Sequence, residues 1–105
     1  MNAVRVEPSL EALISSEPLV LLDFHARWCG PCRAMLPVLD ALEAEMGGRL
    51  RILKIDVDDH TDLAVRMGVM GVPTFMLYQN GVERWRQPGV FTKESLRQMI
   101  EAVES

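Results

Sequence analysis

Two cysteines three residues apart, in Trp28-Cys29-Gly30-Pro31-Cys32, sit where a buried-strand pattern gives way to a helical one. Leu19 to Phe24 is nearly continuous apolar sequence and reads as a strand covered on both faces, the habit of a parallel sheet. Beyond Cys32, Met35, Leu36, Leu39, Leu42 and Met46 recur at three and four residues and predict a long amphipathic helix. Gly47 and Gly48 end it. Pro37 lies inside it, removes one backbone donor and is expected to kink it.

The rest of the chain continues the alternation. Ala3 to Glu7 is a weak strand with two valines. After Pro8 and Ser9, the spacing of Leu10, Leu13 and Ile14 predicts a short helix. Leu50 to Val57 reads as another strand, followed by a short helix over Thr61–Met67 that Gly68 stops. Thr74–Gln79 and Val82–Gln87 flank Asn80-Gly81, a dipeptide suited to the positive φ angles of a type I′ hairpin turn. Glu83, Arg84 and Arg86 place charge on the second of these strands, as expected for a protected sheet edge, and Trp85 between them reads as packing. Thr92 can cap a final helix whose apolar positions are Leu96, Met99, Ile100 and Val103. The predicted order is β-α-β-α-β-α-β-β-α. It implies an α/β class domain over residues 1–105, with a mixed sheet of about five strands and helices on both faces.

Composition agrees with that architecture. A chain of 105 residues with 49% hydrophobic and 25% charged residues is globular, and buries roughly two thirds of its unfolded surface without needing disulfide staples. The net charge of −4 argues against a nucleic-acid or anionic-membrane surface. No segment approaches the roughly 20 apolar residues of a membrane span, and the N-terminus lacks the pattern of a signal peptide. A cytoplasmic protein is expected, as a monomer.

Three chemistries use cysteines at this spacing. Haem attachment needs His after the second cysteine, where Arg33 stands. A structural zinc site needs a second ligand pair, and His25 and His60 are far apart in sequence, so no metal site is expected. Redox exchange fits the βαβ context. Cys29 falls at the N-cap, where unpaired backbone N–H groups and the helix dipole favour a thiolate, the form that attacks disulfides. Cys32, one turn inside, is expected to be more buried and to resolve the mixed disulfide by attacking the Cys29 sulfur. The alternative of a static disulfide or inert thiols is weak in a chain with no visible secretion signal.

The sequence resembles the thioredoxin family. The resemblance is carried by Asp23-Phe24-His25-Ala26-Arg27-Trp28-Cys29-Gly30-Pro31-Cys32-Arg33, then Pro37, Lys54-Ile55-Asp56, Gly71-Val72-Pro73-Thr74, Asn80-Gly81 and Gly89, in the family's order along nearly the whole chain. It implies the thioredoxin fold and a dithiol reductant of protein disulfides. It also implies no bound cofactor beyond the redox-active Cys29–Cys32 disulfide, which a flavoprotein thioredoxin reductase recharges from NADPH. Two other readings stand beside it: a non-catalytic thioredoxin-like module that docks a partner, and an oxidase of secreted proteins.

Several neighbours take roles on the same basis. Asp23 interrupts an apolar strand, where burial raises a carboxyl pKa, and could relay the proton of Cys32. The resemblance places Lys54 near Asp23 in a supporting role. It also implies a cis Pro73, with the Val72 backbone pairing to an extended client segment. Trp28, Gly30, Pro31, Val72, Gly89 and Val90 would form the apolar rim around it. His25 is the main departure, since the family usually carries an aromatic residue there. Protonated, it could favour the Cys29 thiolate, and otherwise it fills space. Met70, where many members are polar, makes the rim more apolar. Asp56, Asp58, Asp59 and Asp62 fail the EF-hand pattern, with Thr61 and Met67 at its Gly and Glu positions, and are expected to cap the following helix and line a solvated face.

Overall fold

β1 (Leu19–His25) is the organising strand of a computed structural model that describes residues 9–105. On one side it pairs in parallel with β2 (Arg51–Asp56), and on the other antiparallel with β3 (Thr74–Gln79). β4 (Val82–Pro88) adds to the far edge of β3, so the sheet order among the described residues is β2-β1-β3-β4. The strand expected over Ala3–Glu7 lies outside those residues. A mixed sheet with helices on both faces is the architecture expected from the sequence.

Among the described residues, four α-helices cover the two faces. Successive side chains of a strand point to opposite sides, so the even and odd residues of β1 feed different cores. Leu19 and Leu21 join Phe75 and Leu77 under α2 (Gly30–Met46) and α4 (Lys93–Glu104), against Met35, Leu39, Leu42, Leu96 and Ile100. Val20, Leu22 and Phe24 join Met76 and Tyr78 on the other face. There α1 (Leu10–Ser15) supplies Ile14, and Leu63 of α3 (Thr61–Arg66) packs alongside. Burial on both faces explains the unbroken apolar run of β1.

Local signals account for the element ends. α2 runs continuously through Pro37 and stops at Gly47, whose φ of 59° favours glycine. Thr92 accepts the Ser95 N–H at 3.0 Å to start α4. Asn80 and Gly81 adopt φ of 51° and 84°, the positive pair that turns β3 into β4.

Candidate active site

After β1 the chain passes through Ala26, Arg27 and Trp28 and enters α2, with Cys29 as the N-cap in extended conformation. The Cys32 backbone N–H donates to Cys29 Sγ at 3.2 Å. Helix starts leave N–H groups without internal partners and carry partial positive charge, so this sulfur lies where negative charge is stabilised. The first turn of α2 holds no acidic side chain to compete for that field, and Pro31 fits an early position where its missing N–H is of no consequence. Cys29 and Cys32 form a disulfide, with Cα atoms 5.2 Å apart. Both are buried, at 5% and 3% exposure, so the expected difference in burial is small. What distinguishes the two sulfurs is that Cys29 occupies the cap.

Strand alternation puts Asp23 on the face of Leu19 and Leu21, the side that α2 covers. The residue is 1% exposed, and neither carboxylate oxygen has a hydrogen-bond partner among the described residues. Burial pushes its pKa up to about 6, against the opposing pull of His25 and Lys54. His25 Nδ1 lies 3.8 Å from Asp23 Oδ2 and 3.4 Å from the Asp23 main-chain oxygen. The described polar side-chain contacts of His25 are thus to Asp23 and not to Cys29. Lys54 faces Asp23 across the β1–β2 ladder, while its ammonium pairs with Asp40 of α2 at 3.2 Å.

A second loop closes over the disulfide. The Val72–Pro73 bond is cis. Cys29 Sγ lies 3.8 Å from the Val72 carbonyl oxygen, and the Gly89 N–H donates to the Pro73 carbonyl at 2.9 Å. Gly89, at φ 103°, lets the chain leave β4 beside Pro73. Around this meeting point Trp28 is 69% and Met70 97% exposed, with Val90, Gly30 and Pro31 also open to solvent. Trp28, Met70 and Val72 line a cleft of about 250 Å³.

The acidic cluster does other work than expected. The N-cap of α3 is His60, with no side-chain capping bond, and Asp62 alone of the four aspartates lies in its first turn. Asp56 accepts the N–H groups of Asp58 and Asp59 at 2.8 and 3.2 Å. Burial pushes the Asp56 pKa up, but those two donors with Arg27 and His25 outweigh it and leave the carboxyl below its usual range. Arg27 reaches Asp59 at 2.7 Å and Asp56 at 3.4 Å, and the Trp28 indole N–H donates to Asp58 at 2.9 Å. The aspartates therefore anchor the loop that carries the cysteines. The available signal was topological: parallel β1 and β2 end side by side, one followed by Arg27 and Trp28, the other by these acids.

A loop-to-helix junction that holds one sulfur against a backbone donor at the helix start, with the second sulfur bonded to it, suits reversible thiol–disulfide exchange, and the chain is of the thiol–disulfide oxidoreductase class. Residues 3–102 match the family model described as Thioredoxin. The chain is 43% identical over 86 residues to thioredoxin of Bacillus subtilis (strain 168), covering 82% of this chain and 83% of that one. It is 40% identical over 93 residues to thioredoxin 1 of Chlorobaculum tepidum, covering 88% and 92%. A mutant thioredoxin from Halobacterium salinarum NRC-1 superposes with a TM-score of 0.82 at 39% identity, over 89% of this chain and 80% of that one. The chain belongs to the thioredoxin family.

Proposed function

We propose that this protein is a cytoplasmic, monomeric, single-domain reductant of protein disulfides, recharged by thioredoxin reductase and NADPH. The Cys29 thiolate attacks a client disulfide, forming a mixed disulfide and expelling one client thiolate. Cys32 then gives up its proton, attacks Cys29 Sγ and expels the second client thiolate. The client leaves as a dithiol and the Cys29–Cys32 disulfide remains. Asp23 takes the proton of Cys32, and Lys54 supports it by favouring the ionised carboxylate that can accept that proton. The client segment lies across Trp28, Gly30, Pro31, Gly89 and Val90 and pairs with the backbone of Val72 beside Pro73.

The observation that carries this reading is the capped Cys29 sulfur, held by the Cys32 N–H at the start of α2. Asp23 is supported by its burial on the α2 side of the sheet without a hydrogen-bond partner among the described residues. The client path is supported by the exposed apolar rim, and by Val72 having no backbone hydrogen-bond partner among the described residues. The test is reduction of insulin by dithiothreitol, followed by turbidity, with wild type and Cys29→Ser. Wild type should accelerate it and Cys29→Ser should not. Equal acceleration by both overturns the reading.

A further inference from the structure

We propose that His25 is a positioning residue for the resolving step, exchanging with solvent the proton that Asp23 takes from Cys32. The inference rests on the reading of Asp23 as the proton acceptor.

Asp23 is 1% exposed, and among the described residues neither oxygen has a hydrogen-bond partner, so a proton placed on it has no direct path to water. His25 Nδ1, at 3.8 Å from Oδ2, is too far for a hydrogen bond, but a ring shift of about 1 Å brings it to bonding distance. The His25 side chain is 22% exposed. With Cys32, Arg33 and Leu36 it lines an open cavity of about 220 Å³. One imidazole thus spans from the buried carboxylate to a cavity that Cys32 also lines. Its two ring nitrogens let it accept a proton at one and release a proton from the other.

The Cys32 thiol passes its proton to the Asp23 carboxylate, which hands its proton to Nδ1 of His25 in the Nε2–H tautomer, and the imidazolium releases its Nε2 proton to solvent. The Cys32 thiolate left behind bonds to Cys29 Sγ, and the client sulfur departs as a thiolate with the electron pair of the broken bond. Reduction of the disulfide runs the same path backwards.

The charged groups around the imidazole leave this path open. Asp56, its ladder partner on β2, feels its charge but is turned to Arg27 and to the N–H groups of Asp58 and Asp59. Arg27 is held by Asp56 and Asp59, and Arg33 donates to the Arg27 carbonyl at 2.6 Å. Lys54, beyond Asp23, has its ammonium on Asp40.

The test follows decay of the mixed disulfide after reduced protein meets excess insulin, by acid quench and mass spectrometry, from about pH 5 to 8, where an imidazole ordinarily changes charge. Wild type, His25→Asn, His25→Gln, Asp23→Asn and the Asp23→Asn/His25→Asn double variant are compared, with and without added imidazole. Two His25 substitutions keep the test valid if one misfolds. Both should slow decay by roughly tenfold, less than loss of a direct proton-transfer group because Asp23 remains. Formation of the mixed disulfide should not change, added imidazole should restore decay, and His25→Asn should add nothing once Asp23 is Asn. An unchanged decay rate and pH profile in both His25 variants, with Asp23→Asn slow, overturns the inference alone. Slowing that imidazole does not restore and that persists in the double variant also overturns it. Normal decay in Asp23→Asn overturns the Asp23 reading and this inference together.

Discussion

The indole N–H of Trp28 donates to Asp58 Oδ2 at 2.9 Å, which holds the ring 69% exposed beside the disulfide. A large aromatic side chain usually gains by burial, so this polar handle helps to keep an apolar face open to solvent. Asp58→Ala removes one exposed hydrogen bond, which costs at most about 1 kcal/mol of stability. The larger effect should fall on function, with faster exchange of the Trp28 indole proton and a raised KM for insulin at nearly unchanged kcat. Indole exchange measured by NMR checks this, and an unaltered rate contradicts the tether.

Asp23 makes stability depend on pH in a definite direction. In the unfolded chain its carboxyl ionises at the ordinary value of 3.8, whereas in the fold it keeps its proton up to about pH 6. Between those values the folded state binds more protons, so the group lowers stability as pH rises through that window and contributes a constant penalty above it. A shift of this size corresponds to about 3 kcal/mol. Asp23→Asn should therefore be more stable than wild type at pH 7, by about 2–3 kcal/mol, and nearly equal to it below about pH 4. Urea unfolding at the two pH values decides it. A difference independent of pH would assign the effect to packing.

Gly81 is constrained twice. Its φ of 84° favours glycine, and a Cβ there would stand 2.9 Å from Ser15 Oγ. Gly81→Ala should cost about 1–3 kcal/mol of stability, mostly from the backbone. Adding Ser15→Ala relieves the crowding and should recover only a small part of the loss. Recovery of most of it in thermal unfolding would mean that contact, and not φ, is the dominant constraint.

What the sequence made legible is what is encoded locally. The apolar run of β1, the Asn80-Gly81 turn and the Thr92 cap each depend on a few adjacent residues, and each appears where expected. Leu36 shares the helical pattern with Met35 yet is exposed, because the faces of α2 are set by the sheet and α4 and not by the pattern alone. The same limit hid the role of the aspartates. Trp28 and Asp58 are separated by 30 residues, and only the parallel pairing of β1 and β2 brings their loops together. The cysteine pair announced itself by spacing, whereas the approach of His25 to Asp23 had no sequence signature. Strand alternation places residues 23 and 25 on one face, but the side-chain direction that brings Nδ1 to the carboxylate is a matter of tertiary packing.

The central claim is the division of labour between the two cysteines, attack by Cys29 and resolution by Cys32. Incubating reduced Cys32→Ser with insulin and reading the intact mass tests it most directly. The account predicts a mixed disulfide that persists until dithiothreitol is added and maps to Cys29, with far less adduct in a matched Cys29→Ser reaction. An equal or greater yield of adduct through Cys32 in Cys29→Ser would contradict it.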